Sequence, residues 1–219
     1  MTKKKLPENN VEQEKAFVSK KYDYLASIYD WIYRTYVQRT VEWAIEVTKL
    51  KGHERILDIG CGTGTLEVEL IKQFPRLAID GCDISAKMLD RAREKLADAP
   101  NVHFFTTDAG SHTWSPETYD TVFSISNLHY FPDPLTLFQS AHACTKQGGT
   151  FTLVDWENRN LKSKMYTMWM KCSDPGFRKI YTFEELTHFF EKAGWTLERS
   201  ERFGVRGYWT MIAIRARKA

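Results

Sequence analysis

The segment Ile56-Leu57-Asp58-Ile59-Gly60-Cys61-Gly62-Thr63-Gly64-Thr65 constrains this chain more than any other. Its apolar, β-branched start reads as a buried strand. Three glycines at alternate positions follow, and then Leu66, Leu70, Ile71 and Phe74 recur at helical spacing until Pro75. A strand that turns through glycines straight into a helix opens a β-α-β unit. Glycine leaves no Cβ between the backbone and a bound group, so close approach is possible. Asp58, two residues before the first glycine, sets this turn apart from a phosphate cradle, because a carboxylate there repels a diphosphate.

The alternation continues downstream. Strands are expected at residues 55–59, 77–82, 102–106, 121–126 and 150–155, with Gly148-Gly149 as the turn before the last of these. Ser85 is a good N-cap for a helix carrying Met88, Leu89, Ala92 and Leu96 on one face. Pro134 starts another with Leu135, Phe138 and Ala141, and Thr182 with Glu185 forms a capping box for a helix that Gly194 ends. Residues 195–202 and 208–215 read as two final strands joined by a loop containing Gly204 and Gly207. A short connection makes them a hairpin, so one runs antiparallel to the rest. The expected fold class is α/β: seven strands, mostly parallel with one antiparallel strand, and helices on both faces.

Residues 1–15 are polar without periodicity and read as a flexible tail, leaving 16–219 as one domain. Within it, residues 16–50 carry aliphatic and aromatic side chains at helical spacing, enough for two helices. Residues 157–181, rich in Met, Trp and Tyr, break the rhythm and read as an irregular segment. No apolar run approaches the ~20 residues of a membrane span, and the basic start Lys3-Lys4-Lys5 has no apolar stretch behind it. The cysteines at 61, 82, 144 and 172 form no C-x-x-C pair, so no metal site and a reduced, cytoplasmic setting are expected. Basic residues interleave with acids, as in Asp90-Arg91-Ala92-Arg93-Glu94-Lys95, which suits a solvated helix face rather than a nucleic-acid surface.

Two more acids stand at strand ends. Asp83 follows Gly64 by nineteen residues and can accept from two ribose hydroxyls. Asp108 closes the third strand, where a carboxylate oxygen can accept from an adenine amino group. Thr65 stands where the dinucleotide pattern G-x-G-x-x-G requires glycine, and no G-K-[ST] follows. Three acids in register with a glycine turn suit a nucleoside bearing an amino group and a positive charge.

Taken together these motifs resemble those of the class I S-adenosylmethionine-dependent methyltransferases. The glycine segment is similar to that family's first motif, Gly81-Cys82-Asp83-Ile84-Ser85-Ala86-Lys87-Met88-Leu89 to its second and Asp108-Ala109 to its third. Tyr119-Asp120-Thr121-Val122-Phe123-Ser124 with Ser126-Asn127-Leu128-His129-Tyr130 resembles its fourth, and the lead-in Tyr22-Asp23-Tyr24-Leu25-Ala26-Ser27-Ile28-Tyr29-Asp30 resembles ubiquinone/menaquinone-type enzymes. The resemblance spans about residues 20–215 and implies a Rossmann-like fold. It implies S-adenosylmethionine as cofactor and S-adenosylhomocysteine as product. By the same resemblance Asp58, Gly60, Cys61 and Gly62 seat the methionine end, and Asp83 the ribose. Ile84 and Met88 pack on the adenine, Asp108 and Ala109 meet its edge, Ser126 and Asn127 line the site below, and Tyr22 and Tyr29 close over it. A monomer or homodimer is expected.

A sulfonium activates its own methyl group, so an enzyme of this kind has to place a nucleophile in line, about 3 Å away, and exclude water. A base is needed only where the acceptor arrives protonated. His129 and Asp155, past the fourth and fifth strands, are the candidate catalytic residues, with Tyr181 and Glu157 as more distant options. Asn127-Leu128-His129-Tyr130 replaces the N-P-P-Y of nucleic-acid methyltransferases, which argues against a flipped base as acceptor. Residues 16–50 and 157–181 are expected to cover a small, apolar or aromatic acceptor: a quinone-like ring, another metabolite or a lipid headgroup. O-, N- and C-methylation stay open. The alternatives are another nucleoside-dependent transferase of the same fold, such as an aminopropyl transferase, and a non-catalytic cofactor-binding scaffold. Asp58 and Thr65 disfavour a nicotinamide oxidoreductase.

Overall fold

The computed structural model describes residues 8–205 and 209–219. Seven strands form one sheet: β1 (Arg55–Ile59), β2 (Ala78–Asp83), β3 (Val102–Thr106), β4 (Tyr119–Ile125), β5 (Thr145–Trp156), β6 (Trp195–Val205) and β7 (Trp209–Lys218). Their order is β3-β2-β1-β4-β5-β7-β6. β1 to β5 run parallel to one another, and β7 runs antiparallel to both β5 and β6. The helices are α1 (Glu8–Leu25), α2 (Tyr29–Thr48), α3 (Thr65–Gln73), α4 (Ala86–Lys95), α5 (Pro134–Cys144), α6 (Leu161–Ser173) and α7 (Phe183–Lys192).

Strand periodicity divides the core in two. Leu57 and Ile59 join Val122, Phe138, Phe151 and Phe190 beneath α5 and α7. Ile56 joins Ala44, Leu70, Phe123 and Val154 beneath α2 and α3. Helix starts follow local chemistry: the Ser85 hydroxyl accepts from Met88 N–H (3.2 Å), and Asp133 caps α5 ahead of Pro134. Thr182 and Glu185 form the expected reciprocal box at α7.

Four expectations need correction. Residues 8–15, read as part of a tail, are the first turns of α1; Met1 to Pro7 lie outside the described residues. Their few inward residues are spaced as a helix face but are too sparse to outweigh a polar composition. Residues 157–181 are not irregular, because Asn160 and Ser163 build a second capping box that starts α6. β5 begins before Gly148-Gly149, which mark a register shift against β4 rather than a turn. Gly204 lies inside β6, while Gly207 and Tyr208 fall outside the described residues.

Phe138 is fully buried and packs edge-on against Phe151 and Phe190, at 5.5 and 4.7 Å between ring centroids. Phe138→Ala is expected to lower unfolding free energy by about 3–5 kcal/mol, read from urea denaturation. A loss below about 1 kcal/mol would show that this ring cluster does not hold the α5–α7 layer.

Candidate active site

In an open α/β sheet a crevice forms where strand order reverses. Here the reversal lies between β1 and β4, whose carboxyl ends carry the glycine turn and Ser126-Asn127. Gly60, Gly62 and Gly64 all have left-handed φ (+74°, +55° and +75°), which L side chains adopt at a cost. The turn folds back so that Gly60 and Cys61 N–H donate to Cys82 O, at 2.8 and 3.0 Å. A Cβ on Gly60 would collide with the Asn127 amide, which donates to Ile59 O and whose Oδ1 accepts from Ser124 Oγ (2.6 Å). Gly62 faces open space. Asp83 completes the turn: its Oδ2 accepts from Gly62 N–H (3.0 Å) and its Oδ1 from Ser85 N–H (2.8 Å). Burial raises the Asp83 carboxyl above its ordinary value, and these backbone donors partly offset that.

A cavity of about 140 Å³ opens over this turn. Its wall brings together Tyr22, Tyr29, Gly60, Gly62, Asp83, Ile84, Met88, Asp108, Ala109, Ser126 and Asn127, residues far apart in the chain. Asp58 and Cys61 do not line it. The reason at Asp58 is strand alternation: Ile59 faces the cavity, so Asp58 points to the opposite layer, beneath α3. Cys61 is buried within the turn, with burial raising its thiol.

Beneath α3, Asp58 meets Glu67, and both are buried. Asp58 Oδ1 and both Glu67 carboxyl oxygens have no donor among the described residues. A proton held between the two carboxyls satisfies this arrangement. Burial and then repulsion from Glu67 push Asp58 well up, while burial pushes Glu67 up to about 7.

From α1 the sequence reading named only Tyr22 at the cofactor site. Val11, Glu14, Lys15, Val18 and Tyr22 all line the cavity, at the 3-to-4 spacing of one helix face. Lys15 pairs with Asp108 (2.7 Å) and Glu14 with Arg178, long-range contacts that no local pattern announces. Asp108 also accepts from Gly110 N–H (2.9 Å) and Ser111 Oγ (3.0 Å). Burial would raise its carboxyl, but Lys15 and these donors outweigh it and hold it below its ordinary value.

A second cavity, about 380 Å³, shares Tyr22, Tyr29, Ser126 and Tyr130 with the first. α1, α2 and α6 wall it with Lys21, Tyr33, Tyr36, Tyr166, Trp169 and Met170. His129 lines it too, its Nδ1 2.9 Å from Asp155 Oδ1 and its ring stacked on Trp156 at 4.6 Å. Asp155 also accepts from Leu128 N–H (2.8 Å) and Trp156 N–H (2.7 Å). Tyr181 and Glu157 line neither cavity: Tyr181 packs on Phe189, and Arg202 Nε donates to both Glu157 oxygens (2.9 and 2.8 Å).

The family described as a methyltransferase domain matches residues 56–149, which hold the glycine turn, Asp83, Asp108 and Asn127. The chain is 29% identical over 210 residues to demethylmenaquinone methyltransferase of Staphylococcus aureus, covering 85% of each chain. It is 29% identical over 171 residues to malonyl-[acyl-carrier protein] O-methyltransferase 1 of Ilyobacter polytropus, covering 75% of this chain and 61% of that one. The chain thus spans less than two thirds of that relative. The fold matches phosphoethanolamine N-methyltransferase 2 of Haemonchus contortus, solved with phosphomonomethylethanolamine and S-adenosylhomocysteine. The TM-score is 0.77 at 18% identity, over 92% of this chain and 59% of that one. Residues 56–149 thus carry a methyltransferase domain, and the fold is that of S-adenosylmethionine-dependent methyltransferases.

The cavity fits S-adenosylmethionine on the chemistry of its walls. Asp83 offers carboxylate oxygens suited to ribose hydroxyls, Ile84, Met88 and Ala109 offer apolar surface to a flat base, and Gly62 leaves room for close approach. Asp83→Ala is expected to weaken S-adenosylhomocysteine binding by about 1–3 kcal/mol in calorimetry. An unchanged dissociation constant would refute the ribose role.

The Asp58–Glu67 pair yields a pH signature. Glu67 titrates at about 7 in the folded chain against 4.5 as its ordinary value, so across that window the folded state holds more protons than the unfolded one. Stability is therefore present below pH 4.5 and is lost as pH rises toward 7, by at most about 1.4 kcal/mol per pH unit. Glu67→Gln should flatten that slope in urea unfolding measured across the window. A wild-type profile with no such fall would exclude the shared proton.

Proposed function

We propose that this methyltransferase transfers a methyl group from S-adenosylmethionine to a small, apolar or aromatic acceptor that arrives protonated. One observation carries the reading: His129, paired with Asp155 behind it, stands in the wall of an aromatic cavity that adjoins the cofactor cavity. When bound, the cofactor supplies an electrophilic methyl group on a sulfonium centre. The chain's own residues supply the rest.

Asp155 already accepts two backbone N–H bonds, so toward the histidine it acts again as an acceptor. That selects the tautomer with the proton on Nδ1 and leaves the Nε2 lone pair to take a proton. Stacking on Trp156 and contact with Tyr130 and Phe177 fix the ring. The tyrosines are not competing bases. Burial drives the Tyr22, Tyr36 and Tyr130 hydroxyls well above their ordinary value, so they stay protonated and act as hydrogen-bonding groups. Tyr33, Tyr166 and Trp169 present flat surface, and Met170 an adaptable one, to an apolar ring.

A neutral amine brings its own lone pair, and a carboxylate arrives ionised; neither needs a base. A ring hydroxyl, or a carbon activated by one, does. The histidine therefore favours a quinol-like acceptor, in line with the likeness to demethylmenaquinone methyltransferase, over a carrier-bound carboxylate. With a hydroquinone acceptor at saturating labelled cofactor, His129→Ala is expected to lower kcat by about 10²–10⁴-fold. Rates equal to wild type would exclude the base role. No turnover of any ring hydroxyl, with S-adenosylhomocysteine binding intact, would overturn the acceptor class.

A further inference from the structure

Large apolar side chains stand in solvent on two helical segments that wall the acceptor cavity. On α6, Leu161, Met165, Met168 and Trp169 are 60–72% exposed. Their spacing of i, i+4, i+7 and i+8 places them on one face. A helix packed on a domain turns such a stripe inward, yet α6 turns it out and buries Met170 instead. All the charged residues of α6, Lys162, Lys164 and Lys171, are basic and exposed. Around the α1–α2 elbow, Tyr24 and Trp31 are 81% and 85% exposed, Ile28 is exposed as well, and Arg34 follows. The acids of that elbow are paired: Asp30, though exposed, accepts from Thr63 Oγ1 (2.6 Å) and pairs with Lys95 (2.6 Å), and Asp23 accepts from Ser85 Oγ (2.6 Å). Tyr33 and Trp169, both exposed, line the acceptor cavity from α2 and α6, so each apolar segment continues into its wall.

We propose that this face docks on the interfacial layer of a lipid bilayer carrying anionic headgroups, with α6 lying along the surface and the acceptor cavity opening onto it. Tryptophan and tyrosine prefer the headgroup level, where an amphipathic ring meets both media. Methionine and leucine enter the acyl boundary, and lysines reach phosphates from the same helix. An acidic protein partner accounts for the lysines but leaves two indoles and two methionines without a role. No helix among the described residues is long and apolar enough to cross a membrane, and the docking proposed is peripheral. Docking rests on the proposed acceptor only for its purpose: an apolar ring dissolved in lipid would reach the cavity without crossing water.

The test is sedimentation of the full chain with vesicles of phosphatidylglycerol and phosphatidylcholine mixed one to one, against phosphatidylcholine alone, with tryptophan emission recorded. Binding to the anionic vesicles with a blue shift is expected. Met165→Ser with Met168→Ser, positions that line neither cavity, should lower the partition coefficient at least about tenfold. Lys162→Gln with Lys164→Gln should weaken binding to the anionic vesicles selectively. Both variants should keep wild-type S-adenosylhomocysteine affinity, which shows that they fold and separates this result from the methyl-transfer reading. Quenching of wild-type emission by brominated lipid gives the same answer without a variant. The proposal is overturned by absent wild-type binding or quenching, or by binding that the methionine changes leave intact. It is equally overturned by a dimer in light scattering that those changes dissociate, or by lysine-dependent capture of an acidic protein without vesicle binding.

Discussion

The contact between Gly60 and Asn127 is the constraint on which the site depends. It joins the carboxyl ends of β1 and β4, the two strands between which sheet order reverses. Only a residue without a Cβ, at positive φ, lets the asparagine amide lie against the turn and reach Ile59 O. Asp83 holds the same turn from β2 through Gly62 N–H. Three strand ends are thereby tied to one loop, and the cavity over that loop inherits their rigidity.

The acids divide labour by depth. Asp83 lies at the cavity wall with backbone donors on both oxygens. Asp108 is tethered to α1 through Lys15, so the helix that covers the cavity is fastened to one of its walls. Asp58 lies one layer away, beside Glu67, and does not line the cavity. The Asp58–Glu67 pair makes the α3 interface sensitive to protonation.

Much of the fold was legible because its signals are local. Strand runs, the glycine turn, the Ser85 cap and the Thr182–Glu185 box each act within a few residues. The spacing of Asp83 and Asp108 from the turn follows from strand and helix length. Local signals misled where composition hid geometry. Residues 8–15 look like a polar tail, yet Val11, Glu14 and Lys15 continue the helix face of Val18 and Tyr22 over the cavity. α6 was missed because its apolar stripe faces solvent, so its pattern does not match that of a packed helix.

From the residues alone came the α/β architecture, the glycine turn and the acids at successive strand ends, since these depend on backbone freedom, periodicity and short spacing. His129 and Asp155 could be named singly from the same string. Only the tertiary structure brought them within 2.9 Å and stacked the ring on Trp156. Only it turned Asp58 away from the cavity and folded α1 and α6 around a second one. Those outcomes rest on contacts between segments far apart in sequence, whose register the packing of the whole sheet decides.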